Sequence, residues 1–184
     1  TVSNLSYILF GVTIMTPLGM AAAITHLVCH AFMKITGFFC AGAVIHQTER
    51  QYVHQLNGLG RRMPVIFGCF TAASLALMGV PGLAGFVSKW SLAQAAVSSG
   101  SPLALAGVGA LLATALLTAC YLLSIEVRAF FPAADFDEST LEGVRDPSWL
   151  MLLPILLLTG VVIFLGLCST PLLQFIAGVA GGQI

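Results

Sequence analysis

His26, His30 and Lys34 recur at intervals of four in HLVCHAFMK, and Lys89 stands in GFVSKW; both stretches lie in long apolar sequence. On an α-helix a spacing of four lines side chains along one face, about 6 Å from one to the next. A charge at the centre of a bilayer costs at least about 2.5 kcal/mol, and ionisable groups kept there mark ion or proton paths. Imidazole titrates near neutral pH and has two ring nitrogens through which a proton can pass. A lysine amine among apolar groups can alternate between charged and neutral forms. The pattern points to a proton-transfer line of His26, His30, Lys34 and Lys89.

Other readings of the same residues stay open. The histidines could be satisfied core residues packing between helices. They could also hold a metal, since His at i and i+4 can share one ion and Cys29 is a third ligand by position. No glutamate lies between them, as a zinc-protease helix requires. Lys34 could snorkel to a membrane surface, and Lys89 could open an ordinary helix at the membrane edge. Glu126 is the only carboxylate within an apolar run, and Arg128 follows two residues later, so the two form a possible ion pair near the end of a span. His46 and His54 sit at or in the polar loop and read as solvated. No phosphate loop, nucleophile–base spacing or redox ligand set stands out. The expectation is no catalytic site, no metal and no cofactor.

These groups need a membrane scaffold to position them. The sequence is 58% hydrophobic and 8% charged, against about 25% charged in soluble domains. Seven basic and seven acidic residues give zero net charge, so nothing suggests a nucleic-acid partner. Most charges fall in two short stretches, Glu49 to Arg62 and Asp135 to Asp146. A span needs roughly 20 apolar residues, and the pattern predicts an all-α, polytopic bundle of about six membrane segments, one of them broken. Helices are expected near 3–15, 20–46, 64–80, 77–98 and 103–131, then an acidic loop over 132–147 and a further span and tail over 148–184. Thr16-Pro17-Leu18-Gly19 reads as a turn, Pro64 as the opening of a helix and Trp149 as an interfacial anchor. Pro81, Gly82 and Gly85 predict an interruption near Leu83 to Lys89, of the kind that lets free backbone line a cavity. There a cation could rest against the carbonyl end of the first half-helix. Ala21, Ala22, Ala23, Gly37, Ala41, Gly42 and Ala43 suit close helix packing. Tyr52-Val53 with Asn57-Gly58 suggests a small hairpin. The five cysteines read as buried core residues. The opening at Thr1, already in apolar sequence, suggests a piece of a longer membrane protein.

HLVCHAFMKITGFFCAGAVIH, then GLGRRMP, then ASLALMGVPGLAGFVSKW, in that order, resemble the antiporter-like membrane subunits of respiratory complex I. The same family includes subunits of Mrp-type cation/proton antiporters and of membrane-bound hydrogenases. TVSNLSYILFG resembles the opening of the second half of such subunits. The resemblance implies that residues 1–131 are the second of two inverted repeats and that a further helix follows. It places His26, His30, Lys34 and Lys89 in the proton half-channel of that repeat, and makes the loop from Gln47 to Met63 a short hairpin. It implies a multi-pass protein of the cell membrane that carries protons, with Na⁺ as the alternative ion. Its partners would be lipid and the other membrane subunits of an NADH dehydrogenase-type, hydrogenase-type or antiporter complex. Such a subunit pumps protons without catalysing the redox step. The first repeat is absent from these residues. A structural membrane module, or a metal site at the histidine pair, is the competing class.

Overall fold

A computed structural model describes residues 1–132, 141 and 143–181. Among them are α1 (Val2–Thr13), α2 (Pro17–Thr48), a 3₁₀ turn (Val53–Gln55), α3 (Leu59–Arg62), α4 (Pro64–Met78), α5 (Ala84–Ser98), α6 (Pro102–Phe130), α7 (Trp149–Leu167) and α8 (Thr170–Ala180). No strand occurs among the described residues. The chain is all-α, as expected.

Local chemistry sets the boundaries. Pro17, Pro64 and Pro102 each sit in the first turn of a helix, where a missing N–H costs nothing. Thr16 caps α2, its hydroxyl accepting from the Gly19 backbone N–H at 3.0 Å; the expected turn is a helix start, and α2 begins three residues before the predicted Met20. The first N–H groups of α4 are capped from a distance. The Asp146 carboxylate, just before α7, accepts from Val65 and Ile66, both at 3.2 Å.

α2 is the axis of the bundle. It is 32 residues long, about 48 Å at 1.5 Å per residue. α4 and α5, at 15 residues each, reach only about 22 Å apiece and cannot cross a 30 Å hydrocarbon core singly. They lie end to end against α2. Ile66, Phe67 and Cys69 of α4 pack with Cys40, Ala43 and Val44. Ala76, Leu77 and Ala84, on either side of the interruption, pack with Cys29 and Met33. Leu92 and Ala95 of α5 pack with Ala22, Tyr7 and Leu111. α4 and α5 are thus the two halves of one discontinuous span running antiparallel to α2. α6 flanks it, with Leu111 at the α5 end and Leu122 and Ala129 toward α4. α7 covers the other side through Leu152, Ile155 and Val162.

Several expectations are corrected. The interruption is at Gly79–Leu83, ahead of the predicted place, and Lys89 lies inside α5. Gly79 ends α4 in the left-handed region at φ 96°, Pro81 cannot continue a helix, and Gly82 turns again at φ 89°. The loop after α2 is a 3₁₀ turn, not a hairpin: the Gln55 side-chain oxygen accepts from the Gln51 and Tyr52 N–H groups, both at 3.1 Å, and curls the chain. Cys29, Cys40 and Cys69 are buried, but Cys120 and Cys168 are exposed. Among the small residues of α2, the four alanines Ala21, Ala22, Ala23 and Ala43 are buried; Ala41 and Gly42 are exposed and Gly37 is half-buried. The tail, unread in the sequence, forms α8. Most of the acidic loop, with Asp135, lies outside the described residues.

α2, α6 and α7 are long and apolar enough to cross a membrane. Leu112, Leu116 and Leu117 of α6 and Leu153, Leu157 and Phe164 of α7 face outward, a surface suited to lipid or neighbouring helices.

Candidate proton-transfer site

The interruption builds the first part of the site. Where α4 stops, its last carbonyls have no helical partner and carry the negative end of the helix dipole. Lys89, in the second turn of α5, reaches back to them. Its Nζ donates to Leu77 O at 2.7 Å and to Met78 O at 3.1 Å. The side chain is 7% exposed. Each hydrogen bond from a charged donor contributes about 1.5–3 kcal/mol, so two offset the 2.5 kcal/mol or more that a bare charge costs in a bilayer. The sequence expectation of a cation held at the carbonyl end of a half-helix matches this geometry.

Two glycines make the arrangement possible. A Cβ on Gly85 would run into the carbonyl oxygen of Ala76, so only glycine lets α5 start alongside the end of α4. A Cβ on Gly166 would collide with Gly82 O and Leu83 Cα, and its absence lets α7 lie directly on the interruption.

Ser88 links Lys89 to α2. Its Oγ is 2.9 Å from His26 Nδ1 and 3.2 Å from Gly85 O. The imidazoles of His26 and His30 stack 6.0 Å apart at 16°, which is the rise of four helical residues. The Nε2 atoms of both are buried and have no partner among the described residues. Tyr7 of α1 meets His26 edge-on at 5.4 Å, and its hydroxyl bonds to that of Thr114 on α6.

Lys34 sits apart from this core. Residues four apart advance about 40° around a helix at each step, so Lys34 is turned about 80° from His26. It is half-buried, with Nζ 4.8 Å from the Phe38 ring centroid. Glu126 and Arg128 diverge as well. Arg128 is exposed, while Glu126 is buried with its Oε2 2.7 Å from Thr71 Oγ1. Glu126 Oε1 has no partner among the described residues, and the two side chains form no pair there. His46 and His54 are exposed, as read from the sequence. Among the described residues no group of three or more His, Cys, Asp or Glu gathers as a metal site.

Sequence reasoning missed Ser88, Tyr7, Thr71 and Ser74. Ser88 had one available signal, its place directly before the lysine. Thr71 and Ser74 are small hydroxyls in an apolar helix, and such groups commonly bond their own backbone, as Thr25, Thr36 and Thr159 do here, while Tyr7 reads as an aromatic core residue.

A discontinuous span holding a buried lysine beside a histidine pair on an unbroken helix, in a bundle with membrane-length apolar helices, defines the class as a polytopic membrane protein. The chain belongs to the NADH:quinone oxidoreductase/Mrp antiporter transmembrane family, whose model matches residues 1–118. It is 37% identical over 153 residues to NADH-quinone oxidoreductase subunit L of Rickettsia felis, covering 83% of this chain and 23% of that one. Subunit N of Desulforudis audaxviator is 31% identical over 183 residues, covering 95% and 36%. The structure of the Mrp complex from Dietzia sp. superposes with a TM-score of 0.82 at 26% identity, over 97% of this chain and 40% of that one. That of the membrane-bound sulfane sulfur reductase, an archaeal respiratory membrane complex, gives 0.75 at 30% identity, over 89% and 26%. The chain thus spans less than half the length of these relatives. Together with its three membrane-length helices, the family makes it a multi-pass membrane protein.

Proposed function

We propose that this chain carries protons across the cell membrane as the second inverted repeat of an antiporter-like subunit in an NADH:quinone oxidoreductase-type complex, with Lys89, His26, His30 and Lys34 as carriers. One observation supports this most: the Lys89 ammonium held by Leu77 O and Met78 O at the interruption, one residue from the Ser88 that meets His26.

An ammonium has three N–H donors. Two are committed to the carbonyls, and the third is left for a proton acceptor. Loss of that proton removes the charge that strengthens both carbonyl bonds, so the hold on Lys89 loosens when it is neutral. His26 stands next in line through Ser88, then His30 and Lys34. The 6.0 Å between the imidazoles exceeds a direct hydrogen bond, so water bridges that step. Neighbouring ionisable groups shift each other's affinity for protons, and a charge change in a partner subunit can drive the line. The other membrane subunits are therefore the partners, and this chain needs no cofactor of its own.

A second reading is a Na⁺/H⁺ antiporter subunit, favoured by the superposition of nearly the whole chain on the Mrp complex. Proton uptake in sealed native vesicles tests both. With Lys89→Ala or Lys34→Ala, pumping is expected to fall at least about tenfold, a lost acid–base group costing about a hundredfold or more, while the protein still assembles. A Na⁺-dependent residual flux would move the assignment to the antiporter. Unchanged pumping with both lysines replaced would sink both readings.

A further inference from the structure

The geometry points to Glu126, with Thr71 and Ser74, as a further proton station of this chain, placed beyond Lys89 toward the α4 end of the bundle. This rests on the proton-transfer reading above and adds a residue to it.

Glu126 is 7% exposed and Ser74 is 2% exposed. The Thr71 hydroxyl is 2.7 Å from Glu126 Oε2 and 2.7 Å from the carbonyl oxygen of Phe67. A hydroxyl carries one hydrogen, so it donates to one of them only. If that hydrogen goes to Phe67 O, the contact with Glu126 closes only when the carboxyl brings a proton of its own. Glu126 Oε1 and Ser74 Oγ are both buried without a partner among the described residues. The Ser74 hydroxyl stands beside the same carboxyl, so the carboxyl can gain or lose a proton with a neighbour. Cys40 and Cys69, which pack into this end of the core, are thiols, and the Arg50 side chain lines the adjoining cavity with Phe67, Phe70 and Ile125.

The position links this group to the lysine. Thr71, Ser74 and Leu77 follow at intervals of three along α4, on neighbouring positions of one face. Leu77 is the residue whose carbonyl holds Lys89. From Thr71 to Leu77 the helix rises about 9 Å, with Ser74 midway as a hydroxyl that can both accept and donate. Leu122, one turn before Glu126 on α6, packs with Ala76 and Leu77, so α6 presents its carboxyl beside this row. A proton released by Lys89 can pass by Ser74 and water to Glu126 without leaving the core.

The test is proton pumping and infrared difference spectroscopy on the full-length protein in sealed native vesicles, with Glu126→Gln, Glu126→Asp and Lys89→Ala. The expected result is at least a tenfold loss of pumping in Glu126→Gln. The wild type should also show a carboxylic C=O band that shifts in D₂O, is absent in Glu126→Gln and is displaced in Glu126→Asp. If Glu126→Gln pumps normally while Lys89→Ala does not, the station is wrong and the lysine–histidine line stands. If Lys89→Ala also pumps normally, both fall. Should Glu126→Gln fail to assemble, Glu126→Asp decides: a displaced band supports the station, and a band identical to wild type overturns it.

Discussion

The Lys89 Nζ donates to the carbonyl oxygen of Leu77, twelve residues earlier, at 2.7 Å across the interruption in its own span. Two half-helices are joined there by a side chain as well as by backbone. The fold at this point therefore depends on a group whose charge can change.

Replacing that group by arginine separates the two roles. A guanidinium has donors enough for Leu77 O and Met78 O but does not give up its proton. Lys89→Arg is expected to leave the bundle assembled, by detergent-solubilised size exclusion, and to lower vesicle proton pumping at least about tenfold. Pumping at the wild-type rate would show that deprotonation of residue 89 is not required.

Ser88→Ala removes the partner of His26 Nδ1, which is then buried and unpaired. Such a loss costs about 1–3 kcal/mol, and thermal unfolding in detergent should register it. Ser88→Thr keeps the hydroxyl and should recover most of that stability. Equal destabilisation by both substitutions would mean that the hydrogen bond is not what holds His26.

Gly85→Ala places a methyl against the Ala76 carbonyl oxygen. Over-packing of this kind costs about 1–3 kcal/mol. Gly37→Ala is the counter-example. Nothing lies within 4 Å of a Cβ at that position, and exchanging glycine for alanine inside a helix gains up to about 1 kcal/mol. Chemical denaturation of both variants should give opposite signs. A neutral Gly85→Ala would mean that the half-helices can move apart without loss.

The features legible in the sequence were those with few physical alternatives. Prolines at positions 17, 64 and 102 fit the first turn of a helix at no cost, and each opens one, whereas Pro154 lies inside α7. A lysine in apolar sequence after Pro81 and Gly82 demands free carbonyls, and Lys89 has them. What escaped depended on rotation and distance. Lys34 follows His30 by the right interval yet turns to the edge of the core, because four residues overshoot one helical turn. The Pro/Gly cluster announced an interruption, but only the left-handed φ of Gly79 fixes where α4 ends. Glu126 read as a partner for Arg128 because they are close in sequence. Two residues apart on a helix, they point to different sides, and α4 supplies Thr71 instead.

The flush contact of Gly166 with Gly82 and Leu83 has an electrical meaning. An interruption in a span exposes polar backbone that hydrocarbon cannot solvate and that stray water would enter. α7 lies beyond the stretch matched by the family model and seals that gap. It serves as insulation around that joint, keeping the carbonyls of Leu77 and Met78 for the buried Lys89 ammonium.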